Sequence, residues 1–211
     1  MGAGGRVVLD PEELLAALRA SKLERGFYLR DARTVARALV GTFLVHAPAG
    51  RPAQAVRIVE TEAYCGPKDL ASHARVGLTK RTKTLLGEPG HAYVFLIYGM
   101  YDCFNVTCRG AGTGHAVLVR GGEPVLGIPH GVRCDGPGRL GRALGITRTD
   151  NGRDLVGDTL FLAARRARPR IAVTARVGVA YAGEWADRPW RFLDERSAHV
   201  SRPSKKLIGR G

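Results

Sequence analysis

Glu60, Glu62 and Tyr64 occupy alternate positions at the end of the run Arg57-Ile58-Val59-Glu60-Thr61-Glu62-Ala63-Tyr64. In an extended chain every second side chain points the same way, so Val56, Ile58, Glu60, Glu62 and Tyr64 are expected on one face. That face opens apolar and closes polar, as suits a strand leaving a core for a cleft. Further along, Tyr93-Val94-Phe95-Leu96-Ile97-Tyr98-Gly99-Met100-Tyr101-Asp102-Cys103-Phe104-Asn105 crowds aromatics together. A carboxylate held among aromatics can have a tuned pKa and can take a proton from water as a general base. Aromatic faces stack on flat bases, at about 1–3 kcal/mol per contact. With basic residues to hold phosphates, the combination describes an enzyme that draws one base out of a duplex and acts on it. Taken singly, each residue has a plainer role: Glu62 as an ion-paired strand residue, Tyr93, Phe95 and Tyr101 as core, Asn105 as a local hydrogen-bonder, His73 on a surface helix.

The elements that must position these residues are legible from local signals. Asp10-Pro11-Glu12-Glu13 reads as a capped helix start, with Leu14, Leu15 and Leu18 on one face. A second helix is expected from Asp31 to near Gly41, with Val35, Ala38, Leu39 and Val40 at helical spacing. Thr42–Val45 reads as extended and Ala55–Tyr64 as a strand broken by Gly66-Pro67. Asp69 to Ala74 is expected to form a short helix, followed by the basic segment Thr79-Lys80-Arg81-Thr82-Lys83. Ala92–Ile97 and Cys103–Cys108 are predicted as two strands, with Tyr98-Gly99-Met100-Tyr101 at their tip. Ala116–Arg120, Thr159–Ala164 and Ile171–Val179 are further predicted strands. Gly136-Pro137-Gly138-Arg139-Leu140 is expected to open a helix running to Leu144, a junction able to meet phosphate.

The chain has 211 residues, enough for one domain with a substantial core and tight for two. No internal repeat or linker divides it, and 1–9 and 201–211 are expected to be mobile termini of a single domain. Its 33 Lys+Arg against 19 Asp+Glu leave a net charge of +14, which points to a polyanionic partner. Cys65, Cys103, Cys108 and Cys134 form no C-x-x-C pair and have no His at zinc-ligand spacing, so neither metal nor disulfide is expected. With no secretory apolar run, no membrane association and no secretion are expected. The expected location is the cytoplasm or nucleoid in a bacterium, or the nucleus in a eukaryote.

The stretches RIVETEAYCGPKDLASHA, GHAYVFLIYGMYDCFNV, AVLVRGGEP, GPGRLGRALGI and ARVGVAYAGEWADRPWRF follow one another between roughly Arg33 and Phe192. In content and order they resemble the alkyladenine (3-methyladenine, or methylpurine) DNA glycosylase family. The resemblance implies a mixed α/β (α+β) fold, with a curved, largely antiparallel sheet surrounded by helices. It also implies a monofunctional, metal- and cofactor-independent enzyme that hydrolyses the N-glycosidic bond of alkylated or deaminated purines flipped from double-stranded DNA. By motif, Glu62 becomes the general base for the attacking water. Tyr64 and His73 form one wall of the base pocket, Phe95 the opposing face, and Asn105 a floor that rejects guanine. Tyr98 becomes the wedge left in the duplex, Arg120 holds the flipped nucleotide or its phosphate, and Lys80, Arg81 and Arg139 contact DNA. Glu60 is assigned to the scaffold. One carboxylate suffices for a cationic alkylpurine, which leaves readily, whereas ordinary glycosidases use two.

Four departures bear on lesion choice and DNA contact. Phe95 stands where some relatives have Tyr, Thr82 where Asn is expected, Leu85-Leu86 where a Met-Phe-like pair is expected, and Arg139 where Lys is usual. A monomer is expected. The competing class is a non-catalytic nucleic-acid-binding module using the same basic surface.

Overall fold

The computed structural model describes residues 10–201 and the backbone of 207–210. Helix α1 (Pro11–Ala20) starts as its sequence dictates: Glu12 and Glu13 donate backbone N–H bonds to the Asp10 carboxylate, and the Glu13 side chain accepts from the Asp10 N–H. A short helix α2 (Arg25–Tyr28), with no clear signal in the sequence, places Tyr28 in the core. Helix α3 (Ala32–Leu39) is capped by Asp31, which accepts from the Arg33 N–H, and it buries Ala32, Val35, Ala36 and Leu39. The predicted fourth helix, α4 (Pro137–Ala143), follows Gly136.

Among the described residues nine strands form one sheet: β1 (Phe43–His46), β2 (Gln54–Cys65), β3 (Ala92–Ile97), β4 (Tyr101–Cys108), β5 (His115–Leu126), β6 (Leu160–Ala163), β7 (Ile171–Thr174), β8 (Arg191–Asp194) and β9 (Leu207–Arg210). The order is β3-β4-β5-β2-β8-β7-β9, with β1 between β2 and β6, and every pairing is antiparallel. Strand β2 is the hinge of this arrangement. Its first half pairs with β1 and its second half with β8, so the sheet forks and curls along a single strand.

The fork coincides with a pair of bulges that overturns the shared face expected for Val56 through Tyr64. The β2–β5 register steps from Ile58 opposite Gly122 to Glu60 opposite Gly121, and then to Thr61 opposite Val119. Val59 and Arg120 are each left without a partner, and the side-chain alternation inverts between Ile58 and Glu60. The two consecutive glycines record this inversion. A Cβ on Gly122 would strike Val56 and press on Leu140 in the core, whereas a Cβ on Gly121 would strike the His199 carbonyl and crowd Glu60 at 3.3 Å. Val56 and Ile58 therefore face the core from one side, and Glu60, Glu62 and Tyr64 face the other.

Other boundaries also shift. Strand β5 runs through Gly121-Gly122 rather than stopping there, because the bulge absorbs them. The helix expected over Asp69 to Ala74 is a turn followed by a 3₁₀ segment at His73–Val76, with Ser72 accepting from the Ala74 N–H. Strand β7 ends at Thr174, five residues short of Val179, because Arg176 turns inward to a buried ion pair. The mobile termini expected at 1–9 and in most of 201–211 lie outside the described residues. Ser201 is buried against Glu60, and 207–210 pairs with β7 as β9.

Candidate active site

The inverted face of β2 continues across β5, β4 and β3 as a concave surface. Leu118 lies opposite Glu62 and Asn105, Ala116 opposite Tyr64, and Tyr93 opposite Asn105. A cavity of about 320 Å³ opens on this surface. Its walls include Tyr64, Tyr93, Phe95, Asn105 and Arg120 from the sheet, His73 from the 3₁₀ segment, and Val177–Val179 and Tyr181 from the segment after β7.

Glu62 is wholly buried and lies one layer behind this wall. Its Oε1 accepts from the Val177 N–H at 2.7 Å and its Oε2 from the Tyr64 hydroxyl at 2.9 Å, while Arg120 Nε lies 3.4 Å from Oε1. Tyr64, Arg120 and Val177 all line the cavity. The three groups that hold the carboxylate are thus the ones separating it from the cavity. Burial, then the adjacent Glu62 charge, pushes the Tyr64 phenol well above its ordinary pKa, so it remains a donor to Glu62. Burial pulls the Arg120 guanidinium down, but the charges of Glu62 and Glu60 outweigh it, and its pKa stays raised.

Glu60, two residues away, is held differently. Its Oε1 accepts from Arg120 Nε at 3.0 Å, Arg191 Nε at 2.7 Å and the Ser201 hydroxyl at 2.7 Å, and its Oε2 accepts from the Ser201 N–H at 2.6 Å. A carboxylate offers about four acceptor positions, so Glu60 is saturated by the protein. Glu62, with two hydrogen bonds, has acceptor capacity left. Glu60 therefore anchors Arg120, Arg191 and the chain at Ser201.

His73 and Phe95 meet edge to face at 4.5 Å, and Tyr93 sits beside both. The Tyr93 hydroxyl lies 3.0 Å from His73 Nδ1. Burial, then the charges of Arg81 and Arg75, lowers the His73 pKa to about 4, so its ring is neutral near pH 7. Asn105 donates its amide N–H groups to the Tyr93 and Cys103 carbonyls at 3.0 and 3.2 Å, which fixes the amide plane. Tyr98 is 80% exposed at the β3–β4 tip with φ of 53°, next to Gly99 at 69°. A non-glycine residue in the left-handed region costs roughly 1–2 kcal/mol, here at a side chain that packs on little else.

The structure divides the expected DNA-contacting residues. Arg81 stacks over Phe95 at 5.1 Å and donates from Nη2 to His73 Nε2 at 3.3 Å, so it belongs to the pocket rim. Lys80 is exposed on the turn beside it. Arg139 pairs with Asp135 at 3.0 Å near the start of α4. That helix sits close because residue 138 is glycine, where a Cβ would press into the Tyr101 ring at 2.6 Å. Of the departures, Thr82 is buried with its hydroxyl donating to the Gly77 carbonyl, and Leu85 packs under the pocket against Tyr93 and Ala116.

Some contributors were not singled out from sequence. Arg176 and Asp69 form a fully buried pair at 2.6 Å, and the guanidinium lies 4.8 Å from the Tyr64 ring, bracing that wall from behind. Val177 supplies the backbone donor to Glu62. Asp69 and Arg176 do fall inside two of the quoted motifs, which was the available signal; the residue types alone do not pair them.

A slot walled by aromatics, a buried carboxylate with spare acceptor capacity behind it, and basic residues at the rim define a class: proteins built to accept one flat ring from a polyanion. Comparison with known proteins specifies that class. The methylpurine-DNA glycosylase (MPG) family model matches residues 26–198. A protein of Anaeromyxobacter sp. (strain Fw109-5), provisionally named a 3-methyladenine DNA glycosylase, is 56% identical over 183 residues, 86% of this chain and 93% of the relative. Proteins of the same provisional name from Myxococcus xanthus (strain DK1622) and Legionella pneumophila (strain Lens) are 51% and 44% identical, covering 85% and 86% of this chain and 93% and 98% of the relatives. The chain belongs to the methylpurine-DNA glycosylase family, and it is an enzyme of the DNA-glycosylase class. No helix among the described residues is long and apolar enough to cross a membrane.

Proposed function

We propose that this enzyme extrudes alkylated or deaminated purines of the 3-methyladenine, 7-methylguanine and hypoxanthine type from duplex DNA and hydrolyses their N-glycosidic bond, initiating base excision repair. The observation that carries the mechanism is the difference between the two buried glutamates. Glu60 is saturated, whereas Glu62 keeps acceptor capacity beside the cavity. A water within reach of Glu62 must lie among Tyr64, Arg120 and Val177, the groups that touch both the carboxylate and the cavity. The Glu62 charge offsets the cationic sugar that develops as the base leaves, and Glu62 then takes a proton from the attacking water. A cationic alkylpurine departs as the neutral base, whereas hypoxanthine departs as the anion and takes its proton from solvent.

The base itself is held between Tyr64 and the His73–Phe95 pair, with Asn105 beneath. The fixed Asn105 amide disfavours an exocyclic 2-amino group, which supports rejection of normal guanine. By contrast, 7-methylguanine carries the same group but is cationic and leaves readily enough to be released. Tyr98 enters the gap in the duplex, replacing stacking lost when the nucleotide turns out. Arg120 orients the flipped nucleotide, and Lys80, Arg81 and Arg139 meet the phosphate backbone. Membership of the methylpurine-DNA glycosylase family supports the lesion set, and one protein copy is proposed to act at each site.

The test is release of free purine from a panel of duplexes carrying 3-methyladenine, 7-methylguanine or hypoxanthine, followed by chromatography of the freed base. Release from at least one lesion and none from undamaged duplex is expected. Tight binding without release from any of them would instead identify a non-catalytic binding module.

A further inference from the structure

A second cluster lies outside the cavity, on the far side of the Tyr64 wall. Cys65 ends β2, His115 begins β5 directly opposite it, and Asp31 caps α3 above both. One ligand-type atom from each, a carboxylate oxygen, a thiol sulfur and an imidazole nitrogen, all fall within 4.8 Å of one another. Asp31 uses Oδ1 for its own helix, accepting from Arg33 N at 3.0 Å and Arg33 Nε at 2.8 Å. Oδ2 points to His115 Nδ1, 3.8 Å away. That nitrogen is buried and makes no hydrogen bond, on a residue only 5% exposed. A buried polar atom without a partner is uncommon and calls for an explanation.

We propose that Asp31, Cys65 and His115 bind one divalent transition-metal ion of the zinc class. A mixed sulfur, nitrogen and oxygen set suits zinc, with a fourth position left for water. Bonds of roughly 2.0–2.3 Å require the three atoms to draw in by about 1 Å, and Asp31 and Cys65 are half-buried side chains at the ends of elements. The surrounding charges oppose the ion. Arg109 donates from Nη1 to His115 Nε2 at 3.0 Å and lies 3.9 Å from Asp31 Oδ2, and Arg33 is paired with Asp31. Since Arg109 is a donor, Nε2 is the bare nitrogen without metal and Nδ1 carries the proton. On binding, Nδ1 gives its lone pair to the metal, the ring proton moves to Nε2, the Cys65 thiol proton leaves to solvent, and Arg109 withdraws. Its side chain is 55% exposed and free to do so. The ion would staple the start of α3 to β2 and β5 one residue from Tyr64, as a structural site with no step in base release.

The experiment titrates Co(II), then Zn(II), into the full chain after chelator treatment. One equivalent of Co(II) should raise a thiolate-to-cobalt charge-transfer band in the near ultraviolet, which Zn(II) abolishes. Cys65→Ser and His115→Ala should each remove the band and weaken Zn(II) binding by at least about 10–100-fold. Arg109→Gln should tighten it, since a competing cation is gone and glutamine can accept from Nε2–H. Zn(II) should raise the melting temperature of the native protein but not of Cys65→Ser. Absence of the band in the native protein overturns the site, as does a band that survives Cys65→Ser. Equal or weaker binding by Arg109→Gln overturns Nδ1 as the ligand. Should His115→Ala not fold, the native and Cys65→Ser titrations still decide.

Discussion

Replacing Glu62 by Gln removes one proton acceptor from a site whose other contacts can largely persist. The amide oxygen can still accept from the Val177 N–H, now 2.7 Å from Oε1, and the new NH₂ can donate to the Tyr64 oxygen, now 2.9 Å from Oε2, once that hydroxyl turns. Arg120 loses the charge 3.4 Å away but keeps Glu60 at 3.0 Å, so no buried cation is stranded. The expected destabilisation is therefore about 1–3 kcal/mol, the difference between charge-assisted and neutral bonds. Base release is expected to fall far more. A positioned general base contributes about 10²–10⁴-fold, or roughly 2.7–5.4 kcal/mol of barrier. Single-turnover release from a duplex bearing one alkylated or deaminated purine measures the loss, and titration of the same duplex measures binding, which should stay near native. A variant that binds normally and releases base within about tenfold of the native rate would refute Glu62 as the base. Release lost only in Glu60→Gln would transfer the role to the other glutamate.

Tyr98→Ser should weaken capture of lesion duplex much more than binding to undamaged duplex, and should change stability by no more than about 0.5 kcal/mol because the side chain is so exposed. Equal losses on both duplexes in a titration would rule out the wedge. Asp69→Asn leaves the fully buried Arg176 without its counter-charge and should cost about 3–5 kcal/mol, or roughly 6–20 °C in melting temperature. A shift below that range on a thermal scan would mean the pair contributes little. The folded His73 ring resists protonation down to about 4, whereas the unfolded one takes a proton near 6.5, so the unfolded state binds more protons between those values. Stability should thus fall as pH drops from 6.5 towards 4, and urea midpoints of His73→Phe should fall less steeply over that window.

Much of the scaffold was readable because its signals are local. The Asp10 cap, the helix start at Asp31 and the Gly136-Pro137 helix start each involve residues within one or two turns, and each forms where expected. The face of α3 differs in detail: it buries Ala32 and Ala36 beside Val35 and Leu39 rather than Ala38, and Val40 lies past its end. The misjudged boundaries have long-range causes. Strand β5 continues past Gly121 because β2 supplies a partner across the bulge, and β7 stops at Thr174 because Arg176 is drawn to Asp69. Arg81 shows the same limit on the site: a basic residue in a basic segment reads as a phosphate contact, and only the fold reveals that it also stacks on Phe95 and bonds to His73.

The runs Arg57–Tyr64 and Tyr93–Asn105 do carry the site's carboxylates and aromatics, but for a reason that period-two counting cannot supply. Taken alone, the sequence determined the kind of chemistry, the caps and strands that hold it, and, through five motifs in one order, the family. The family motif singles out Glu62, but residue types and spacing alone could not show which carboxylate keeps acceptor capacity. Glu60 and Glu62 are alike in type, spacing and face; only Arg191 and Ser201, arriving from far along the chain, saturate one and leave capacity on the other. Nor could the sequence reveal that one unpaired residue at Val59 turns Glu60, Glu62 and Tyr64 away from the apolar core face, or that Asp31, Cys65 and His115 converge. Parity inversion and convergence both arise from pairing between distant strands, and that pairing exists only once the sheet has closed.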